Sequence, residues 1–527
     1  MIREGWSSLQ NQAARRPPGF LGLLGRWLLS DPKGIVQTRS NYHQANPVQR
    51  IGSLFVNPGG PGGSGVDFVL GAGPFLYTDE VRARFDLVGF DPRGIARSTA
   101  LRCFGTPRQW TPYVTPFPFP TTSEEEAIWQ TADRYLDAAC DQRGTRLIDH
   151  MATADVARDL DRLRLAVGDE LLTYVGYSYG SYLGVTYANL FPNNFRALVV
   201  DGVLNPVEWA TGVSGEASLP FSTRLRSDVG ALATLNEFFR LCDAGEPNCA
   251  FSPGSADTFA ALATKLRANP IVVTMPDGTT FTFTYADLIS NALGAMYDSS
   301  SWPSFAQFLA GIEALDPPAA LGTKLFAVWQ DLGFITKRGI PKYPNYVEGF
   351  PGVACSDSEN PTTYAAWSAA GASSDALYGY FGRIWTWVSS ICAAWPGADG
   401  DRYLGPFAAN TARPVLVANK LFDPATRYEG AVFVAGLLPN ARLLSVRGWG
   451  HTTLFSSQLA DQAIALYLLE GTLPAEGTIY DQDFVPFASS DTATTALLRS
   501  QMQALVIPAM VPHTVRRSVH TKANQGP

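Results

Sequence analysis

The sequence predicts an α/β fold with a mostly parallel, doubly wound sheet, into which a large and mainly helical segment is inserted. Short apolar runs typical of buried strands recur along the chain and alternate with helical patterns. One of these runs leads through Gly-Tyr-Ser-Tyr-Gly, residues 176–180, into a helix-like segment. From about residue 205 to residue 404 the alternation stops, and the sequence becomes rich in Trp, Phe and Ala. The inserted segment is predicted there.

The predicted strands are short and apolar, and most are followed by a turn or a helical segment. They cover Ile51–Val56, Phe85–Phe90, Leu171–Val175, Arg196–Val200, Pro414–Ala418 and Ala441–Val446. A helix is predicted over Ala154–Val167, because Val156, Leu160 and Leu163 recur at helical spacing. Further helices are predicted over Ser181–Leu190, Ala231–Leu241, Tyr364–Tyr380 and Thr426–Leu438.

Composition is typical of a compact soluble protein. The 527 residues are 46% hydrophobic, and no apolar run reaches the length of about 18 residues that predicts a membrane span. The net charge is −7, and no basic stripe is present, which argues against nucleic-acid binding.

The six cysteines indicate an oxidising compartment, because their number is even. The sequence contains no Cys-x-x-Cys motif of the kind that would indicate a zinc site. They allow many pairings, and the alternative is six free thiols. The simplest scheme joins neighbours in the sequence: Cys103–Cys140, Cys242–Cys249 and Cys355–Cys392.

The pentapeptide 176–180 reads Gly-x-Ser-x-Gly between a predicted strand and a predicted helix. That context is typical of a nucleophile elbow, a strained turn that exposes a serine hydroxyl above a sheet. The glycines on each side of the serine allow the close backbone approach of such a turn. Ser178 is therefore the predicted nucleophile.

A serine nucleophile needs a base and an acid that orients the base. Of the five histidines, His451 alone follows a predicted strand and lies in a glycine-rich loop, Arg-Gly-Trp-Gly-His-Thr. Asp423 follows the strand before it, with room for one helix and one strand between the two residues. The order Ser, acid, His predicts Ser178, Asp423 and His451 as a triad. Asp423 would also suit an ordinary helix N-cap.

The tetrahedral oxyanion of such a reaction needs two backbone N–H donors. Tyr179, directly after the nucleophile, is one candidate. The loop Asn-Pro-Gly-Gly-Pro-Gly-Gly-Ser-Gly, residues 57–65, follows a predicted strand and supplies the second candidate, Gly60. A phosphate-binding loop is disfavoured because no Gly-Lys-Ser/Thr follows, and a flexible linker is the remaining alternative.

Four motifs together resemble the tripeptidyl-aminopeptidase-like branch of the α/β-hydrolases, which is related to the prolyl aminopeptidases. They are residues 57–65, Phe-Asp-Pro-Arg-Gly at 90–94, Gly-Tyr-Ser-Tyr-Gly at 176–180 and Gly-His-Thr at 450–452. The resemblance covers roughly residues 50–480. It implies an α/β-hydrolase fold with a cap that is inserted after residue 206.

The chain departs from the family pattern in three places. Leu459 and Tyr480 stand where members tend to carry a late pair of cysteines, which indicates a lost crosslink. Ala96 stands where members usually have glycine, so a positive φ at that position would carry a small strain. Family members normally begin with a signal peptide and two antiparallel strands, and neither is expected in residues 1–50. The apolar stretch Gly19–Leu29 is too short for a membrane span and is interrupted by Arg26.

Five regions are expected along the chain. Residues 1–50 form an atypical N-terminal segment, 51–204 and 405–490 form the two parts of the core, 205–404 form the substrate-binding cap, and 491–527 form a C-terminal helix with a polar tail.

The resemblance implies a serine exopeptidase or esterase. We expect an aminopeptidase-like serine hydrolase that cleaves amide bonds near a free N-terminus through an acyl-enzyme. The alternatives are a carboxylesterase or lactone hydrolase with the same triad, and a non-catalytic binding module on the same fold. The expected partner is a small peptide or ester, no metal or organic cofactor is expected, and the cysteines and the family suggest secretion.

An aminopeptidase must bind a protonated α-amine, which calls for a carboxylate facing the active site. Asp357 and Glu359 lie in the cap close to Cys355 and are the candidates. Two solvated acids on a surface loop are the alternative interpretation.

Overall fold

In the computed structural model, residues 27–30, 36–274, 280–314 and 346–488 are described. The C-terminal helix and tail expected over 491–527 lie outside the described residues.

Within the described residues, a nine-stranded sheet forms the centre of the structure. Its strands are β1 Trp27–Ser30, β2 Val36–His43, β3 Gly52–Asn57, β4 Phe85–Asp91, β5 Leu172–Tyr177, β6 Phe195–Asp201, β9 Val415–Phe422, β10 Arg442–Trp449 and β11 Ile479–Asp481. Their order across the sheet is β1-β2-β4-β3-β5-β6-β9-β10-β11. The pairs from β4 to β11 are parallel, whereas β2 pairs antiparallel with both β1 and β4.

The two N-terminal strands correct the expectation that residues 1–50 contain none. β1 and β2 form the antiparallel edge of the sheet, with Trp27 opposite Arg39 and Thr38 opposite Asp91. The sequence of β2, Val-Gln-Thr-Arg-Ser-Asn-Tyr-His, has no apolar alternation, so periodicity does not predict it. Backbone pairing with β4 determines this strand instead.

Helices cover both faces of the sheet, as a doubly wound architecture requires. They are α1 Gly65–Ala72, α2 Asp79–Arg84, α3 Ser123–Arg143, α4 Thr153–Ala166, α5 Tyr179–Leu190, α15 Tyr428–Leu437 and α16 Gln458–Glu470. Successive strand residues point to opposite faces: Val56 packs in one buried cluster with residues of α1 and α16, and Phe55 packs in another with residues of α4 and α5.

Between β6 and β9 the described residues form the mainly helical cap that the sequence predicts. Its helices are α6 Pro206–Ala210, α7 Phe221–Arg224, α8 Ser227–Ala244, α9 Ser255–Ala268, α10 Tyr285–Met296, α11 Trp302–Glu313, α12 Tyr346–Asp357, α13 Tyr364–Tyr378 and α14 Gly382–Trp387. A short antiparallel pair, β7 Ile271–Thr274 and β8 Thr280–Phe283, was not predicted. None of the helices in these ranges combines the length and the apolar character that a bilayer crossing requires.

Three disulfides join Cys103 to Cys140, Cys242 to Cys249 and Cys355 to Cys392, which are the predicted pairs. One lies in the core region before β5, and two lie in the cap. Ala96 has φ +42, so the strain predicted at this departure from the family pattern is present.

Candidate active site

Ser178 lies between β5 and α5 on a strained turn. Its backbone has φ +57 and ψ −125, a region that residues other than glycine rarely adopt. The N–H of Ser178 donates to the carbonyl of Asp201 at 2.8 Å, which holds the turn against β6. A Cβ at Gly180 would lie 2.7 Å from the Asn57 carbonyl, and one at Gly176 would overlap the Gly180 carbonyl. Both flanking glycines are therefore required by the packing of the turn.

His451 and Asp423 form a fully buried pair. The Nδ1 atom of His451 lies 2.9 and 3.0 Å from the two carboxylate oxygens of Asp423. Asp423 also accepts hydrogen bonds from the N–H groups of Ala425, Thr426 and Thr452 and from the Thr426 hydroxyl. This arrangement places a proton on Nδ1 and leaves Nε2 as the basic nitrogen.

The charge state of Asp423 follows from its contacts. Burial acts to raise its pKa, but the charge and hydrogen bond of His451 and the N–H groups of Thr426 and Ala425 outweigh burial and hold the pKa below the usual value. Asp423 is therefore an ionised acceptor that orients the imidazole.

The loop that carries His451 is fixed from several sides. The N–H of His451 donates to the Tyr297 carbonyl at 2.9 Å, and the N–H of Gly450 donates to the Phe422 carbonyl at 3.0 Å. Asp201 accepts from the N–H and the hydroxyl of Thr453, both at 2.8 Å. Burial raises the pKa of Asp201 to about 6.

Lys420 is a fully buried cation beneath the same loop. Its ammonium group donates to the carbonyl of Trp449 at 3.0 Å, and burial lowers its pKa to about 8. Neither Lys420 nor Asp201 was predicted from the sequence as part of the site. The available signal was a charged residue at or near the end of a predicted buried strand.

The glycine-rich loop packs directly against the nucleophile turn. Gly59 has φ +93, and a Cβ there would lie 2.9 Å from Ser178 Cβ and from the Tyr179 nitrogen. Gly60 follows with φ +111 and lines one cavity together with Ser178. The two predicted oxyanion donors, Gly60 and Tyr179, therefore belong to two segments in contact at the serine.

The cavity at Ser178 has a volume of about 40 Å³. Its walls are mainly aromatic and aliphatic and come largely from the cap. They are formed by Gly60, Leu204, Trp209, Phe221, Ser222, Leu225, Ser227, Tyr297, Phe350, Trp385, Val388, Ala425 and Thr426. The lining residues, all from the described part of the chain, include no carboxylate. Such walls suit an apolar group on the substrate.

The two acids predicted to bind an amine lie in different surroundings. Asp357 is the last residue of α12 rather than part of a loop, and it is 2% exposed. Burial raises its pKa to about 7. The Glu359 side chain is 45% exposed, and its carboxylate lies 3.8 Å from the guanidinium of Arg402.

One group of side chains has the composition of a metal site. Ligand atoms of His150, Asp155 and Asp399 lie within 4.8 Å of one another. However, Asp155 forms ion pairs with Arg93 at 2.8 Å and with Arg158 at 3.0 Å. Asp399 accepts from the backbone N–H groups of residues 152 and 401. Guanidinium groups and backbone donors already satisfy this cluster, so it fits an ion-pair network better than a cation.

Comparisons with known proteins agree with this architecture. Residues 52–241 match the family model for the alpha/beta hydrolase fold, and residues 378–479 match the model for TAP-like proteins. The two matches cover the two parts of the core together with the beginning and the end of the cap. Ser178 lies in the first match, and both Asp423 and His451 lie in the second.

Several curated proteins are similar over most of the chain. Carboxylesterase B of Mycobacterium tuberculosis is 32% identical over 441 residues, which cover 81% of this chain and 79% of that protein. A tripeptidyl aminopeptidase of Streptomyces coelicolor is 29% identical over 432 residues, covering 80% of this chain and 75% of that protein. Serine protease Hip1 of Mycobacterium tuberculosis is 29% identical over 445 residues, covering 81% and 80%. The chain belongs to the tripeptidyl-aminopeptidase-like branch of the α/β-hydrolases and is a hydrolase of that superfamily.

Proposed function

We propose that the protein is a serine hydrolase in which Ser178 attacks a substrate carbonyl and forms an acyl-enzyme. The observation that carries the proposal is the buried Asp423–His451 pair, with its 2.9 Å contact. The Thr426 hydroxyl contacts both residues of the pair, and Thr426 lines the cavity at Ser178 together with that serine, which lies on a strained turn. A buried imidazole with an ionised orienting acid is the arrangement that activates a serine hydroxyl.

In the first half-reaction, Nε2 of His451 takes the proton of the Ser178 hydroxyl as its oxygen bonds to the carbonyl carbon. The N–H groups of Tyr179 and Gly60 stabilise the oxyanion. The tetrahedral species then collapses, and the imidazolium transfers its proton to the leaving amine or alcohol. In the second half-reaction a water molecule loses a proton to His451 and attacks the acyl carbon. The bond from that carbon to the Ser178 oxygen then breaks, the carboxylic acid leaves, and the imidazolium returns its proton to the Ser178 oxygen.

For the substrate we propose an amide bond near a free N-terminus, in keeping with similarity to the tripeptidyl aminopeptidase and to the serine protease. Of the two candidate acids, Glu359 has the exposure that contact with an α-ammonium group requires. A second candidate is carboxyl-ester hydrolysis, which is favoured by the apolar cavity at Ser178 and by similarity to a carboxylesterase. The three disulfides support secretion or exposure at the cell envelope.

The test is a substrate panel on the wild type and on Ser178→Ala. We expect turnover of both short acyl esters and peptidyl arylamides to fall about 10⁴-fold or more in the variant, because triad residues act as a unit. A fluorophosphonate probe should label Ser178, and His451→Ala should prevent labelling. Modification of a different serine, or full activity of Ser178→Ala, would refute the proposed nucleophile.

A further inference from the structure

The carboxylate of Asp357 lies at the junction between the cap and the core. Its Oδ1 accepts the N–H of Thr153 at 2.6 Å, and its Oδ2 accepts the Thr153 hydroxyl at 2.6 Å and the indole N–H of Trp209 at 3.3 Å. Thr153 is the first residue of α4, whose own N-cap residue, Ala152, supplies no side-chain acceptor. A residue of the cap therefore caps a helix of the core, where a negative charge is favourable.

The Thr153 hydroxyl continues this network towards the nucleophile. A hydroxyl has one hydrogen, and here that hydrogen is donated to Asp357. The close contact between the Thr153 hydroxyl and the Tyr179 phenol is then a hydrogen bond from the phenol to Thr153. Tyr179 directly follows Ser178, and its N–H is one of the two proposed oxyanion donors. The network therefore fixes the side chain of the residue whose backbone faces the reacting carbonyl.

Trp209 forms the second branch of the network. Its indole N–H donates to Asp357, and its ring packs against the rings of Tyr179, at 5.8 Å between centroids, and of Phe221, at 4.6 Å. Trp209 and Phe221 both line the cavity at Ser178. One carboxylate thus orients both a wall of the cavity and the residue next to the nucleophile.

We propose that Asp357 is a positioning residue for the hydrolase reaction, and that it acts on the oxyanion donor Tyr179 through Thr153 and on the cavity through Trp209. The proposal rests on the proposed function of Ser178 and Tyr179. It differs from a role in amine binding, because both carboxylate oxygens already accept hydrogen bonds from the protein. An incoming ammonium group would have to displace those donors from a side chain that is 2% exposed.

The variants Asp357→Asn and Tyr179→Phe test the proposal in the full chain, on a short acyl ester and on a free-amine peptidyl arylamide. Measurements at about pH 8 keep carboxylates ionised. We expect each variant to lower kcat about tenfold on both substrates and to change KM for the small ester less than threefold. The kcat of the double variant should be no lower than that of the less active single variant, because both changes break one network.

Asp86→Asn is the matched control. Asp86 is also buried and also accepts a backbone N–H, that of Ala45 at 2.9 Å, but it lies at the start of β4, away from the carboxyl end of the sheet. Asp86→Asn should lower Tm and leave kcat within twofold of the wild type.

Two results would overturn the proposal. A loss confined to the free-amine substrate in Asp357→Asn would assign Asp357 to amine binding. The network would have no catalytic effect if folded Asp357→Asn kept the wild-type kcat on both substrates. If that variant does not fold, the same result in Tyr179→Phe would show this. An active Ser178→Ala variant would instead refute the proposed function itself, so the two failures are distinguishable.

Discussion

A single methyl group at Gly59 should separate the glycine-rich loop from the nucleophile turn. In Gly59→Ala the new Cβ would lie 2.9 Å from Ser178 Cβ and 2.9 Å from the Tyr179 nitrogen, and it would overlap the Tyr177 carbonyl. All three neighbours belong to the backbone or the first side-chain atom of the turn. No rotation of a flexible side chain can therefore relieve the contact.

The size of the effect follows from these distances. Carbon atoms in contact are normally about 3.5–4.0 Å apart, so the loop and the turn must move apart by roughly 0.6–1 Å. A displacement of about 1 Å at a reacting centre costs about 10²-fold in rate, and loss of one oxyanion donor costs about 10²–10³-fold. We therefore expect kcat to fall about 10²-fold, which corresponds to about 2.7 kcal/mol. The φ of +93 adds backbone strain that should lower Tm.

The assay is steady-state hydrolysis of a short acyl ester, together with the rate of fluorophosphonate labelling and Tm. Gly71→Ala is the control, because Gly71 lies nearby in α1 and a Cβ there meets nothing within 4 Å. Alanine also favours a helix over glycine, so this control should keep kcat and Tm. If folded Gly59→Ala retained kcat within about threefold of the wild type, the inference that this loop forms half of the oxyanion site would be wrong.

Three further predictions concern other parts of the molecule. Non-reducing peptide mapping should recover the three neighbour-paired disulfides, and six thiols alkylated without prior reduction would contradict both the bridges and secretion. If Glu359 binds the α-amine, Glu359→Gln should raise KM for free-amine peptides and leave KM for a neutral ester unchanged. Equal KM values of variant and wild type for the peptide would exclude Glu359 from amine binding. Finally, folded Asp357 holds its proton up to about pH 7, whereas the unfolded residue releases it near pH 3.8. Linkage then requires the contribution of Asp357 to the free energy of unfolding to fall as pH rises through this window, so the difference in unfolding free energy between wild type and Asp357→Asn should change in that direction. Asp399, Tyr179 and Tyr182 lie in the same electrostatic environment and are unchanged in the variant, so a pH-independent difference would contradict the raised pKa.

Local sequence signals predicted the parts of the fold in which each element is encoded by its own residues. The helix expected over 154–167 is observed as Thr153–Ala166, and the strand expected over 171–175 is observed as Leu172–Tyr177. The helix has apolar periodicity because one face of it is buried, and the strand is a short apolar run because all of it is buried. By contrast, β2 depends on pairing with β4, which is distant in the sequence, and β7 depends on pairing with the partly polar β8. The periodicity of a short segment does not predict such pairing.

The candidate site divides in the same way. Ser178, Asp423 and His451 were predicted because a turn, a strand end and a glycine-rich loop each have a local signature. The residues that support them have none. The network of Asp357, Thr153 and Tyr179 joins positions that are 204 and 26 residues apart in sequence. Contacts of that kind exist only after the chain has folded.

The cap contributes contacts to the proposed catalytic centre as well as covering it. The N–H of His451 donates to the carbonyl of Tyr297, which follows cap helix α10. A Cβ at Gly230 of α8 would lie 2.6 Å from the Asp423 carbonyl, so this cap helix packs directly on the loop of the acid. Asp357 adds a third junction, because it contacts Thr153, whose hydroxyl contacts the phenol of Tyr179. Because the cap contacts the proposed base, the proposed acid and the proposed oxyanion segment separately, we expect a change in cap sequence that alters substrate binding also to alter the geometry of the proposed triad. On this proposal, substrate preference and rate are coupled through the same residues.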